Sequence, residues 1–329
     1  MENMLTYKTA GVDLDAAQSV VDDISTIRAR TERPGSLFRG FGQFAACYDL
    51  SGYQRPVMVT TCDGIGTKMK PLIDYDMLEV AGRDLVAMCV NDILTANALP
   101  LVFLDYIGMA ALQRPLIIGI IEGITKALEE CDCILAGGET AEMPGMVEDG
   151  MIELSGFCVG AAEKEEIIDG SAIADGDILI GIPSDGFHAN GWSLIRKIID
   201  QRRNEFSDRE IRELLVPTRI YFSEVAAMRE AGLCPKGMAH ITGGGIADNL
   251  QRVLGPRGAT LHLQKWDNES VAKVIWGLDP AEAARTFNLG IGWIIVAPRE
   301  TADAFIELLP GAVVLGKVCG ESVDVKVAG

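Results

Sequence analysis

The segment 63–68 has the residue types of a phosphate-binding turn. It reads Asp-Gly-Ile-Gly-Thr-Lys and follows an apolar run at 57–61 that has the pattern of a buried strand. Its two glycines let the backbone approach a ligand, and successive N–H groups can hold phosphate oxygens. We therefore predict a phosphate site in which Lys68 adds positive charge and Asp63 holds a cation. The alternative is a tight turn with an exposed lysine, because the spacing matches neither the Walker P-loop nor the dinucleotide motif.

A second group of polar residues interrupts the apolar helical pattern at 78–98. Asp84, Asn91 and Asp92 are spaced by seven and eight residues, which places them on one side of a helix. Carboxylates on so apolar a helix require compensation, so we expect them to meet a metal ion or another cation. Mg²⁺ held by one or two carboxylates and completed by nucleotide phosphates is the simplest account. A solvated polar stripe is the alternative.

The segment 137–145, Gly-Gly-Glu-Thr-Ala-Glu-Met-Pro-Gly, follows a short apolar strand pattern. We interpret it as a loop that comes close to a ligand. Its two glutamates, Glu139 and Glu142, could bind metal or act as acid and base. A pair at this spacing also caps helices, and taken alone the segment favours capping.

Two of the three histidines lie in loops between a predicted strand and a predicted helix. His188 is in the segment 184–191, and His240 opens the segment 240–245, which ends in three glycines. Such a glycine run exposes the amides at a helix N-terminus, a natural site for the phosphate of a small substrate. For each histidine a structural hydrogen-bonding role remains the alternative, and His262, inside a strand pattern, is expected to be structural.

Composition limits the classes of partner. The chain has 329 residues with 48% hydrophobic residues, and its net charge of −18 argues against a surface that binds nucleic acid or an anionic membrane. No apolar run is long enough to span a membrane, and the polar N-terminus favours a cytoplasmic location. The eight cysteines are scattered in apolar runs, which indicates reduced, packed thiols.

Strand and helix patterns alternate along the chain, which indicates mixed sheets covered by helices. Strands are predicted at 57–61, 101–107, 134–136, 154–161, 177–182, 238–241, 259–263, 291–297 and 313–318. Helices are predicted at 78–98, 116–130, 192–201, 223–231, 245–253 and 301–309, and around residues 271 and 281. The charged, turn-rich stretch 163–176 separates two halves, so we expect a domain boundary there.

Taken together and in this order, the motifs resemble the phosphoribosylformylglycinamidine cyclo-ligase family, also called AIR synthetases. The resemblance runs through nearly the whole chain. Its motifs lie at residues 7–13, 63–68, 84–92, 103–106, 137–146, 156–160, 217–221, 240–245 and 285–292. The loop 34–42 is shorter than is usual in the family, and whether it closes over ATP is left open.

The resemblance implies an α+β or α/β fold of two domains. Residues 1–168 would form an N-terminal α+β domain that binds ATP and whose sheet pairs with that of a second subunit in a homodimer. Residues 169–329 would form an AIR synthetase-like C-terminal domain, a mixed sheet with helices. The implied activity is ATP-dependent cyclisation of formylglycinamidine ribonucleotide to aminoimidazole ribonucleotide, with release of ADP and phosphate, in purine biosynthesis. ATP and Mg²⁺ are the implied cofactors.

The same resemblance implies the roles of the site residues. The residues implied in catalysis are Lys68, Asp92, His188 and His240, and those implied in holding metal are Asp63 and Asp92. The nucleotide would be bound by Asp63, Gly64, Gly66, Thr67, Lys68, Asn91, Gly137, Gly138, Glu139 and Thr140. The substrate would be bound by Asn190, Thr242, Gly243, Gly244 and Gly245.

Two other functions compete with this interpretation. One is another ATP-dependent enzyme of the same superfamily, such as a small-molecule kinase or a formylglycinamidine ribonucleotide synthetase-like enzyme. The other is a nucleotide-binding protein without catalysis. Substrate-dependent release of ADP separates the three.

Overall fold

The structure, a computed structural model, describes residues 14–33, 36–39, 42–264, 266 and 268–327. The motif at 7–13 lies outside the described residues, as do positions 34, 35, 40 and 41 of the loop 34–42. The described chain divides into two compact units. The first contains the described residues up to Cys89 together with Pro100–Ala161, and the second contains Val90–Leu99 together with the described residues from Ala162 onward.

The first unit is built on a four-stranded sheet. Its described helices and strands, in chain order, are α1 (Leu14–Arg28), β1 (Leu37–Arg39), β2 (Cys47–Tyr48), β3 (Pro56–Gly64), α2 (Met69–Asp74), α3 (Leu78–Thr95), β4 (Leu99–Met109), α4 (Arg114–Glu130), β5 (Ile134–Glu142) and β6 (Ile152–Glu163). Strands β3, β6, β4 and β5 lie side by side in that order, and β1 pairs with β2 in a separate ribbon. Helix α3 passes from the first unit into the second.

Helices cover one face of the four-stranded sheet. Strands β4 and β5 are parallel neighbours joined through α4, as a crossover connection requires. Along β6 buried residues alternate with more exposed ones, and a side chain added at Gly156 would meet Leu85 of α3 and Phe103 of β4. The other face carries exposed apolar side chains, including Met58 on β3 and Phe157 on β6.

The second unit is built on a six-stranded mixed sheet. Its further elements are β7 (Ile178–Pro183), α5 (Trp192–Gln201), α6 (Asp208–Leu214), α7 (Phe222–Glu230), β8 (Gly237–His240), α8 (Gly245–Leu254), β9 (Ala259–Leu263), α9 (Glu269–Ile275), α10 (Pro280–Thr286), β10 (Ile291–Ala297), α11 (Ala302–Leu308), β11 (Val313–Val318) and β12 (Val323–Val327). The strand order is β12, β9, β11, β7, β10 and β8. Only the β12–β9 pair is parallel among these pairings.

Strand β10, next to the edge strand β8, shows why the apolar runs become strands. All seven of its residues are buried, and its backbone pairs with β7 on one side and β8 on the other. The strands β9, β10 and β11 have the predicted bounds, and so does α5. The expectation of mixed sheets with helices is confirmed. The domain boundary between residues 168 and 169 stays a prediction.

No helix in the described part of the chain is long and apolar enough to cross a membrane. None of the eight cysteines, all of which lie in the described residues, forms a disulfide, and Cys89, Cys131, Cys133 and Cys158 are buried. Burial raises the pKa of the Cys131 thiol above its ordinary range. These buried thiols pack as small apolar side chains.

Candidate functional site

The predicted phosphate-binding turn lies at the end of β3. The strand continues through Gly64, and Gly66–Lys68 form a single turn of 3-10 helix before α2. Gly66 has a φ of +51°, the left-handed conformation that favours glycine. The Asp63 carboxylate accepts a hydrogen bond of 2.7 Å from the N–H of Gly64. The segment therefore forms a tight turn whose backbone is held by Asp63, and its role as a phosphate site stays a prediction.

Lys68 points into the protein rather than to its surface. Its Nζ lies 2.7 Å from Oδ2 of Asp84, and both side chains are 0% exposed. Burial lowers the pKa of the Lys68 ammonium, and the nearby Asp84 carboxylate opposes that shift. The cation predicted beside Asp84 is thus the protein's own lysine. The alternative of an exposed lysine is wrong. A contact between Lys68 and ATP phosphates stays a prediction, although the Lys68 side chain has no exposed surface here.

The glycine-rich segment 137–140 lines a cavity of about 990 Å³ in the first unit. These residues belong to β5 rather than to a loop, and in the register with β4 Tyr106 lies opposite Glu139. The helix-capping alternative for Glu139 and Glu142 is therefore wrong, because both are strand residues. Glu142 instead accepts a hydrogen bond of 2.8 Å from the N–H of Leu112. A cavity of this size is in the range of small-ligand sites.

Asp105 also lines this cavity, and sequence reasoning assigned it no role. A Cβ added at Gly138 would lie 2.3 Å from Oδ1 of Asp105, so the glycine makes room for this carboxyl group. Burial, with a smaller contribution from the charge of Glu139, raises the pKa of Asp105 to about 7. Near neutral pH this group therefore holds its proton in a fraction of the molecules. The sequence signal that could have identified Asp105 is an acidic residue inside the predicted apolar strand 101–107.

In the second unit, Asp92 and His240 form a hydrogen-bonded pair. His240, at the end of β8, has its Nδ1 3.0 Å from Oδ1 of Asp92 on α3, and its Nε2 3.4 Å from Nδ2 of Asn91. The histidine side chain is 2% exposed, whereas that of Asp92 is 39% exposed. Asn91 is fully buried. The carboxylate is therefore the member of this group that faces the surroundings, and Asn91 is enclosed by protein.

His188 is fully buried and has a φ of +58°, an uncommon conformation outside glycine. Its Nε2 accepts from the N–H groups of Asp185, at 3.2 Å, and Arg219, at 3.5 Å. Its carbonyl accepts a hydrogen bond of 2.8 Å from the indole N–H of Trp192. The geometry favours the structural alternative for His188, which joins two loops, and its role in catalysis stays a prediction.

The glycine run 243–245 is held by side-chain amides. The N–H of Gly243 donates to Oδ1 of Asn190 at 3.0 Å, while Nδ2 of Asn249 donates to the carbonyls of Thr242, Gly243 and Gly245. Gly244 has a φ of +96° and precedes α8. The structure thus brings Asn190 together with the glycine run, as predicted for a common substrate site, although the N–H of Gly243 is already used.

The residues predicted to hold Mg²⁺ have suitable oxygen donors. Asp63 is half-buried, and Asp92 presents a partly exposed carboxylate that lies within hydrogen-bond distance of a histidine nitrogen, an arrangement common around metal ligands. Within the described residues no group of three or more His, Cys, Asp or Glu side chains could hold a metal ion. Mg²⁺ commonly uses only one or two protein carboxylates, with water and phosphate oxygens as its other ligands. Each aspartate fits such a role.

Comparison with known proteins gives the family. Residues 42–162 match the N-terminal domain of AIR synthase related proteins, and residues 174–328 match their C-terminal domain. This chain belongs to the AIR synthase related family. A Bordetella petrii protein named phosphoribosylformylglycinamidine cyclo-ligase is 44% identical over 313 residues, which cover 91% of this chain and 89% of that protein. A Thermoanaerobacter pseudethanolicus protein of the same name is 39% identical, covering 97% of this chain and 98% of its own length.

Solved structures share the AIR synthase related fold at low sequence identity. The hydrogenase maturation protein HypE, solved in complex with ATP, superimposes with a TM-score of 0.68 at 17% identity, covering 95% of this chain and 91% of HypE. Thiamine-monophosphate kinase from Stenotrophomonas maltophilia gives a TM-score of 0.65 at 17% identity, covering 92% and 94% of the two chains. These likenesses support the two-domain fold, whereas the activity rests on the more similar relatives.

Proposed function

We propose that this chain is an ATP-dependent cyclo-ligase that converts formylglycinamidine ribonucleotide to aminoimidazole ribonucleotide, with release of ADP and phosphate. The observation that carries the proposal is the set of relatives named phosphoribosylformylglycinamidine cyclo-ligase, which match at 39 to 44% identity along nearly their whole length. The motifs that suggested the family lie in both matched domains. The chain is an enzyme of purine biosynthesis and uses ATP.

The reaction has to activate a poor electrophile. The formamide oxygen of the substrate becomes a leaving group when it receives the γ-phosphoryl group of ATP, and the amidine nitrogen then attacks the activated carbon. Such transfer depends on positioning and on neutralising charge. In this proposal the strand segment 137–140 lines the nucleotide cavity, and Asp105 donates its carboxyl proton in a hydrogen bond to a phosphate oxygen.

We assign Asp63 and Asp92 each as a residue that holds Mg²⁺. When bound, Mg²⁺ neutralises phosphate charge and orients the transferred group. Asp92 presents its carboxylate while His240 fixes one of its oxygens, and Asp63 is fixed by the N–H of Gly64. Asn190 and the glycine run 243–245 contact the substrate in this proposal.

Replacing Asp92 by asparagine tests the metal assignment. The change keeps the side-chain shape and removes the charge, so we expect turnover to fall several-hundred-fold, about 3 to 4 kcal/mol of transition-state stabilisation, in a folded protein. Asp200→Asn, at an exposed position on α5, is the matched control and should turn over normally. ADP release is measured against Mg²⁺ concentration. An Asp92→Asn variant within about threefold of the parent, with unchanged Mg²⁺ dependence, would remove Asp92 from the site.

Substrate-dependent ADP release tests the activity itself. The cyclo-ligase releases ADP only with formylglycinamidine ribonucleotide and yields the five-membered ring, which is detected by its amine. A superfamily kinase instead gives a phosphorylated acceptor that persists. A binding protein gives no ADP with any acceptor. Either of these last two outcomes would refute the proposed reaction.

We further propose that the first unit forms a homodimer through the uncovered face of its four-stranded sheet at the edge strand β3, because Phe157 on the same face lines the proposed nucleotide cavity. The support is the exposure of apolar residues there, including Met58 at 66%, and the sheet pairing implied by the family resemblance. Sedimentation should show a dimer that Met58→Glu weakens, while Met146→Glu, exposed but outside the sheet, does not. An active monomer would contradict the assignment.

We also propose a cytoplasmic location and a domain boundary between residues 168 and 169.

A further inference from the structure

The orientation of the Asn91 side-chain amide is fixed by its surroundings. Its Oδ1 lies 3.0 Å from the backbone N of Tyr221, and an N–H group can only donate a hydrogen bond. The atom facing Tyr221 is therefore the amide oxygen, and Nδ2 is the NH₂ group. Nδ2 donates to the carbonyl of Arg219 at 2.9 Å, which agrees with this assignment. One end of Asn91 is an acceptor and the other a donor, with no freedom to exchange.

This orientation determines which nitrogen of His240 carries the proton. Nδ2 of Asn91 lies 3.4 Å from Nε2 of His240, and because an NH₂ group has no acceptor, Nε2 must accept. A neutral imidazole then carries its proton on Nδ1, which faces Oδ1 of Asp92 at 3.0 Å. Three hydrogen bonds thus run in one direction, from the Tyr221 amide through Asn91 and His240 to the Asp92 carboxylate.

Burial shows which member of the Asp92–His240 pair meets a ligand. The imidazole is nearly enclosed and lies near the ring of Trp293, with 6.3 Å between ring centroids, while Asp92 is partly exposed. An enclosed histidine with both nitrogens in use has no atom available for substrate. Its N–H instead restricts the rotation of the carboxylate.

We propose that His240 is a positioning residue, which holds the Asp92 carboxylate for its ligand through Nδ1–H in a tautomer set by Asn91. The proposal rests on the proposed function, in which Asp92 binds Mg²⁺. It replaces substrate contact or proton transfer as the role of His240. It also assigns Asn91 a function that requires no contact with the nucleotide.

Nitrogen NMR of the protein without ligands tests the tautomer directly. With ¹⁵N-labelled histidine the chain gives three imidazole patterns, and the variants His240→Asn and His262→Gln assign them by removing one each. We expect His240 to show a protonated Nδ1 and an unprotonated Nε2. A protonated Nε2 with a bare Nδ1 would overturn the proposal. This measurement is independent of activity, so it remains decisive whether or not the cyclo-ligase assay succeeds.

Two substitutions then separate positioning from chemistry. Asparagine at 240 can place its NH₂ group where Nδ1–H lies, whereas glutamine places its amide at the position of Nε2. Mn²⁺ serves as the probe in place of Mg²⁺. We expect His240→Gln to weaken Mn²⁺ binding and to lower turnover about 10- to 100-fold, as loss of a residue behind a metal ligand does. His240→Asn should retain most of the Mn²⁺ affinity and most of the turnover of the parent. His262→Gln, at an exposed position on β9, is the matched control.

The outcomes distinguish the two proposals. Equal losses in His240→Gln and His240→Asn, with thermal unfolding like that of the parent, would overturn the positioning role and indicate that the imidazole itself is needed. A parent protein that releases no ADP with formylglycinamidine ribonucleotide would overturn the proposed function. In that case the tautomer and the difference in Mn²⁺ affinity between the two variants still decide the role of His240.

Discussion

Replacing Lys68 by methionine removes the ammonium partner of the buried Asp84 carboxylate. Both side chains are 0% exposed, so water cannot compensate for the lost charge. Removing one member of such a pair typically costs about 3 to 5 kcal/mol of the free energy of unfolding. With a urea dependence of about 2 kcal/mol per molar, the unfolding midpoint should fall by about 1.5 to 2.5 M.

The neighbouring helix α2 offers a matched control. Lys70 and Asp74 form an ion pair at the surface, with side chains 36% and 48% exposed. Exposed pairs contribute about 0 to 1 kcal/mol, so Lys70→Met should leave the midpoint nearly unchanged. Unfolding is followed by far-UV circular dichroism, because all four tryptophans lie in the second unit and their fluorescence would not report on Lys68.

The double variant Lys68→Met/Asp84→Asn gives the sharper result. It removes both charges, so we expect it to be more stable than Lys68→Met alone, with a coupling energy of about 2 to 3 kcal/mol. If Lys68 affects the turn only by pairing with Asp84, Lys68→Met lowers ATP affinity because it leaves the Asp84 carboxylate unpaired. The double variant should then regain that affinity. Additive effects of the two substitutions on stability would refute the coupling between Lys68 and Asp84. ATP affinity that is lost in Lys68→Met and not regained in the double variant would instead favour direct contact between Lys68 and phosphate.

Two further predictions concern the first unit. Because the pKa of Asp105 is raised from 3.8 to about 7, the folded protein holds a proton that the unfolded chain releases, and the free energy of unfolding should fall by up to about 4 kcal/mol as pH rises from about 4 to about 7. Between pH 5 and pH 8 urea unfolding should record about 3 kcal/mol of that fall, and Asp105→Asn should abolish it; an unchanged pH dependence would contradict it. Gly123→Ala would place a Cβ 2.0 Å from the backbone carbonyl oxygen of Glu79. Overpacking of this kind costs about 1 to 3 kcal/mol, so we expect the free energy of unfolding to fall by an amount near the upper end of that range, despite the helix propensity of alanine. Gly52→Ala, where the new atom meets nothing, should be neutral in thermal unfolding, and equal stability of the two variants would contradict the packing argument.

Most strands could be predicted from the sequence because their apolar runs are continuous and end at glycine or charge. Two of the elements that were not predicted lacked that signal. Strand β12 alternates valine with Asp324 and Lys326 at the edge of the sheet, so it has no buried run. Helix α6 has only seven residues, although Ser207 and Glu210 form a capping box that the sequence already displays. The predicted helix at 78–98 ends earlier, at Thr95, and Asn97 just beyond it has a φ of +61°, the left-handed conformation that ends many helices.

The candidate site was predictable in its residue types and less so in its contacts. The spacing of Asp84, Asn91 and Asp92 predicted one side of a helix that meets a metal ion or another cation. The structure separates the three residues into a buried ion pair, a buried amide and a partly exposed carboxylate. Their partners are distant in sequence. Asn91 contacts the backbone at residues 219 and 221, more than 120 positions away, and a contact with a main-chain atom leaves no mark on residue type.

The main-chain origin of the Tyr221–Asn91 hydrogen bond has an evolutionary consequence. Every amino acid except proline offers the same N–H, so position 221 can drift in sequence without altering where the proton of His240 resides. Its side chain is constrained for other reasons, because the phenol donates to the carbonyl of Pro183 at 3.0 Å and the ring stacks on Trp293. At position 91 only asparagine presents a donor and an acceptor at that reach. For the proton of His240, therefore, substitutions at position 221 should matter far less than substitutions at position 91, although the two residues share one hydrogen bond.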